Sequence, residues 1–138
     1  MQNLNFQTTN PAQLTDRVTE LQVALQLDEQ NNLAVAEYTQ AGAIALGGKA
    51  FLKTGAASAF TLAAPLPGSQ LNGGNDGMTM KIIALDAEAY VITAAANSIN
   101  GNKDTATFAG AIGDAITLEA FGGVWVATGL NGVTLSEV

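Results

Sequence analysis

From Leu33 onward the chain alternates between short apolar runs and glycine-rich breaks. The runs are Leu33–Thr39, Ala43–Leu46, Ala50–Lys53, Ala59–Ala63, Met78–Leu85, Ala89–Thr93, Thr105–Phe108, Ala115–Phe121, Val124–Thr128 and Val133–Leu135. Between them fall Gly47-Gly48, Gly55, Pro65–Gly68, Gly73–Gly77, Asn100–Asp104, Gly113-Asp114, Gly122-Gly123 and Asn131-Gly132. Runs this short, closed by turn residues, predict strands. In Ala115–Phe121, Ile116, Leu118 and Ala120 alternate with Thr117, Glu119 and Phe121, which puts the aliphatic set on one face of a strand. Phe121-Gly122-Gly123-Val124 carries the signature of a two-residue hairpin, and Trp125 lies in the return strand. The expected fold is mostly β, an antiparallel sandwich or barrel-like module rather than βαβ units.

Residues 1–32 read differently, being polar and rich in Asn, Gln and Thr. Asn10-Pro11-Ala12-Gln13 has the composition of a helix start, and Leu14, Val18, Leu21 and Leu25 recur at helical spacing. Yet Leu21, Val23, Leu25 and Leu27 also alternate like a strand, with Asp28–Asn32 as a turn back into Leu33–Tyr38. Two readings stand: a short helix near Pro11–Val18 followed by a strand, or an oligomerisation helix. The division expected is an N-terminal arm or oligomerisation segment over residues 1–32 and a β domain over 33–138.

At 138 residues the chain is long enough to bury a core without disulfide or metal staples. Its apolar content is 48%, much of it in small residues. No run approaches the roughly 20 apolar residues of a membrane helix. Met1–Phe6 lacks the basic and apolar regions of a signal peptide.

Charge and missing residue types narrow the chemistry. Five basic residues face twelve acidic ones, for a net charge of −7. Arg17, Lys49, Lys53, Lys81 and Lys103 are scattered along the chain, so no basic patch for nucleic acid is expected. With no His and no Cys, the usual general base and most zinc sites are absent. Asp86 and Glu88, at i and i+2, are the nearest approach to paired carboxylates, and read more simply as a polar turn.

Other loops invite a functional reading only weakly. Asn72-Gly73-Gly74-Asn75-Asp76-Gly77 lacks the Lys-Ser/Thr ending of a phosphate loop, and a strand follows it. Asn97, Asn100, Asn102 and Asp104 surround Gly101 as calcium-type oxygens, but no bidentate acid stands at the required distance. Tyr38, Tyr90 and Trp125 are the aromatic residues available to a carbohydrate platform, though widely separated. An exposed Trp125 would favour glycan binding, and a buried one a scaffold. No catalytic, cofactor-binding or metal residue is assigned, no cofactor is expected, and the chain is read as a non-enzyme.

One ordered set of segments carries a resemblance. It runs Ala59-Phe60-Thr61-Leu62-Ala63-Ala64-Pro65, Asp76-Gly77 with Lys81-Ile82-Ile83, and Ala89-Tyr90-Val91-Ile92-Thr93 before Asn100-Gly101. It continues with Thr105-Ala106-Thr107-Phe108-Ala109-Gly110-Ala111-Ile112-Gly113-Asp114, leading into Ile116-Thr117-Leu118 and Gly123-Val124-Trp125-Val126. This order resembles the small β modules of tailed-bacteriophage virions: head decoration (cement), head fibre and tail fibre proteins. It covers about two thirds of the chain, without the N-terminal third.

The resemblance implies a structural role on the outer capsid surface and a homotrimer with the major capsid protein as partner. Decoration proteins of this kind clamp neighbouring capsid subunits, and the N-terminal segment is expected to act as an arm. The alternative implied by the same resemblance is a head- or tail-fibre tip that binds a host surface glycan. Neither nucleic acid nor membrane is an expected partner.

Overall fold

The structure, a computed structural model, describes residues 16–23 and 34–138. Every expected run holds a strand. They are β1 (Val35–Tyr38), β2 (Gly42–Ile44), β3 (Gly48–Leu52), β4 (Ala59–Leu62), β5 (Thr79–Ala84), β6 (Val91–Ala94), β7 (Thr105–Phe108), β8 (Ala115–Phe121), β9 (Val124–Asn131) and β10 (Val133–Ser136). They form two five-stranded sheets, ordered β1-β3-β5-β8-β9 and β10-β7-β6-β4-β2. Both sheets are open at their edges, so the fold is a mostly β sandwich-like arrangement and not a closed barrel.

The antiparallel expectation holds for β5 with β8, β8 with β9, β6 with β7 and β7 with β10. It is corrected for the other pairings: β1 with β3, β3 with β5, β2 with β4 and β4 with β6 are parallel. The reason lies in the connections. Gly47-Gly48 and its counterparts send the chain across to the opposite sheet instead of back along the same one. Each parallel neighbour is reached only after a strand in the other sheet, which takes the place of a crossover helix. Strands β1–β6 therefore wind as a flattened coil with two strands per turn, and β7–β10 close it with antiparallel pairs.

The core lies between the sheets and follows the alternation in sequence. In β8, Ile116, Leu118 and Ala120 point inward; in β5 Met80, Ile82 and Ala84 do so, and in β4 Phe60 and Leu62. Each fully buried Leu, Ile, Met or Phe side chain contributes about 1.5–3 kcal/mol of hydrophobic stabilisation. Tyr38, Phe60, Tyr90 and Phe108 meet edge to face in sequence, with centroids 6.2, 5.7 and 6.3 Å apart. This line of rings joins the parallel coil to the antiparallel strands.

The hairpin expected at Gly122-Gly123 is present. Both glycines have positive φ (62° and 83°), the conformation of a type I′ turn, and Phe121 pairs with Val124. Strand β9 runs farther than expected, because a bulge between Thr117 and Leu118 lets it pair through Gly129 to Asn131.

Residues 16–23 are helical, and all eight are exposed. The strand reading of Leu21 and Val23 is thereby corrected: both sit in the helix, where the Val18–Leu21 spacing applies instead of alternation. The remainder of Pro11–Val18, and Leu25 and Leu27, lie outside the described residues, as does most of the 1–32 segment.

Candidate functional site

Most of the polar groups singled out in the sequence hold loops in place. Asp86 follows β5, and its two carboxylate oxygens point to different partners. Oδ1 accepts from the Tyr90 hydroxyl, and Oδ2 accepts from the Gly55 N–H at 2.9 Å. The Tyr90 hydroxyl in turn accepts from the Thr54 N–H at 3.0 Å, and Thr54 Oγ1 lies 2.9 Å from Ser58 Oγ. The β3–β4 and β5–β6 loops are clasped around one buried phenol.

The electrostatics follow from this geometry. The Tyr90 hydroxyl above all holds the Asp86 carboxyl below its ordinary range; burial pushes the other way, and the Gly55 N–H adds a smaller lowering. Burial, and then the Asp86 acceptor, push the Tyr90 phenol above its ordinary value. Such a carboxylate is a poor proton acceptor near neutrality. Asp86 and Glu88 are not brought together as a catalytic pair, since both oxygens of Asp86 serve the clasp.

The other loops show the same use of side chains. In the glycine loop, Ser69 starts a short 3-10 helix, Gln70–Asn72, which ends at Gly73. Asn75 Oδ1 accepts from the Leu66 N–H at 2.7 Å, and Asp76 Oδ1 from the Gly122 N–H at 2.8 Å. Both oxygens are tied to the chain's own backbone. In the asparagine turn, Asn100 Oδ1 accepts from the Ala127 N–H at 2.9 Å. Asp104 Oδ1 accepts from the Thr105 hydroxyl and the Val138 N–H. The candidate calcium oxygens therefore face different partners, and no cluster of three metal-capable side chains occurs among the described residues. Asp114, which sequence reading placed only in a turn, is buried and accepts from the Gly110 and Ala111 N–H groups at 3.0 and 2.9 Å.

The aromatic residues are part of the core. Trp125 is 0% exposed, and its indole N–H donates to the Ala63 carbonyl at 2.9 Å. Tyr90 is also fully buried, and Tyr38 is half-buried with its hydroxyl accepting from the Ala45 N–H. No shared surface platform is formed by these three rings.

What the molecule offers instead is surface. Leu66 and Leu71, in the β4–β5 loop, are 59% and 68% exposed. Phe121, at the β8–β9 turn, is 71% exposed beside a shallow cleft of about 270 Å³ that it shares with Gly77, Glu119 and Val126. The Asp76–Gly122 hydrogen bond fixes the loop to the turn. A second surface corrects the sequence reading of scattered cations. Lys49, Lys53 and Lys81 lie on β3, just beyond it and on β5, all at outward-facing positions of the first sheet.

No family model matches the chain, and no curated protein matches it either. Among the described residues, no helix is long and apolar enough to cross a membrane.

Proposed function

We propose that the chain is a head decoration (cement) protein of a tailed bacteriophage. In this reading it works as a homotrimer on the outer capsid surface, bound to the major capsid protein. The observation that carries the choice between the two readings is the burial of Trp125, with its indole N–H bonded to Ala63. A fibre tip binding a glycan would use an exposed ring; Trp125 and Tyr90 instead serve as core. Support also comes from loops whose polar groups brace the backbone, and from apolar residues exposed on the braced loop and turn at Leu66, Leu71 and Phe121. Exposed apolar side chains on a rigid frame suit contact with another protein.

A clamp across capsid subunits stabilises only the assembled shell, by binding it and not the free subunits. Three linked copies strengthen this through effective concentration. The test is co-sedimentation with phage capsids that lack their decoration protein. Saturable binding is expected, together with greater resistance of the shells to heat. Absence of binding to any such capsid, with binding to host cells instead, would replace this reading with the fibre one.

A further inference from the structure

We propose that the outward face of the first sheet is a docking surface for an extended acidic segment of a protein partner, with the pattern acid-x-apolar-x-acid. Three of the chain's five basic residues lie on that face, although the net charge is −7. Lys49 and Lys81 are register partners on adjacent parallel strands, about 4.8 Å apart at the backbone. Like charges placed side by side on a sheet cost stability. Among the described residues no ion pair within 4.0 Å relieves them. Lys53 supplies only the weakest of the influences on Asp86.

Between the lysines runs an apolar row. Phe51 and Ile83 are register partners, point outward and are half-buried. Along β3 the outward order is therefore Lys49, Phe51, Lys53, a cation, an aromatic ring and a cation. The two lysines stand about 13 Å apart, four residues of extended chain. A partner strand lying along β3 presents every second side chain to this face. It would set one acid on Lys49 and Lys81, an apolar residue on Phe51 and Ile83, and a second acid on Lys53. Beside Lys81, Gly129 leaves a cleft of about 230 Å³ over Ala115 and Thr117, with room for one further partner side chain.

Glu37 and Glu119 border the face, at register positions beside Phe51 and Thr79. A continuous polyanion such as a nucleic acid would lie against both acids. A segment with two spaced acids instead meets Lys49 and Lys81 at one end and Lys53 at the other, on either side of the Phe51 position that Glu37 flanks. Any protein with such a segment fits, capsid or not, so the surface is tested without capsids.

The experiment is an amide NMR titration of the full chain with a blocked Glu-Thr-Val-Thr-Glu peptide. Saturable shifts at Lys49, Phe51, Lys53, Lys81 and Ile83 are expected, with millimolar affinity that weakens as salt rises. The Lys49→Gln/Lys81→Gln variant should weaken binding about threefold or more, and the Gln-for-Glu peptide should not bind. As an independent check, Lys49→Glu should raise Tm by about 1–4 °C by removing the repulsion, while abolishing peptide binding. Shifts elsewhere on the protein, unchanged binding in the double variant, or tighter binding of a single-stranded oligonucleotide to the same face would overturn the proposal.

Discussion

Strands β1–β6 and strands β7–β10 share one core yet are held in different ways. In the parallel coil, chain neighbours lie in opposite sheets, so a loop has no paired strand to define its course. The coil supplies side-chain clasps in compensation: Asp86 and Tyr90 gather the Thr54 and Gly55 backbone, and Tyr38 takes the Ala45 N–H. In the antiparallel part, β8 and β9 are joined by a two-residue turn that sets their register directly. Its buried acids, Asp104 and Asp114, hold the Val138 N–H and one loop. A two-residue turn therefore sets the β8–β9 register locally, whereas in the coil the loops between sheets are positioned by side-chain clasps.

Substitutions can break that contrast. The largest effect is expected where the two regions meet in the core. Trp125→Ala should cost about 3–5 kcal/mol and also free the Ala63 carbonyl, read by chemical denaturation. Next, Asp114→Ala leaves two N–H groups of the Gly110–Ala111 turn without their acceptor and should cost about 1–3 kcal/mol in the same assay. In the coil, Tyr90→Phe keeps the ring stack but removes the hydroxyl at the centre of the clasp. It should cost about 1–2 kcal/mol, with hydrogen exchange faster at Thr54 and Gly55 than in β8–β9. Gly122→Ala, at a positive φ, should cost about 1 kcal/mol and leave the coil's exchange unchanged.

The smallest expected effect is the pH dependence of the clasp. Asp86 is depressed in the folded state, so its contribution is present above its ordinary value of 3.8 and lost as pH falls through the lower folded value. Tyr90 is raised, so its contribution is present below 10.0 and lost as pH rises through the higher folded value. Tyr90→Phe should flatten the alkaline limb, measured as Tm against pH.

Strand positions were legible because burial follows period two in both regions, as in Ile116, Leu118 and Ala120. Parallel pairing was not, because the same alternation serves a strand whichever way its neighbour runs. The Gly122-Gly123 turn could be read locally; the Gly47-Gly48 crossing looked the same in sequence but leads to the other sheet. Leu21 and Val23 fit both periods, and their helical state decides between them. The clasp was missed because Thr54 and Gly55 reach Asp86 and Tyr90 only through the coil, although Asp86 and Tyr90 themselves are four residues apart. Lys49, Lys53 and Lys81 seemed scattered for the same reason: parallel register, not sequence distance, makes Lys49 and Lys81 neighbours.

Self-association is the property on which the decoration reading most directly depends, and light scattering on the eluted peak of a sizing column measures it. For a chain of 14.0 kDa, a trimer of about 42 kDa is expected at micromolar concentration, from three copies. A single species at 14.0 kDa, unchanged up to the highest concentration the protein tolerates, would contradict it.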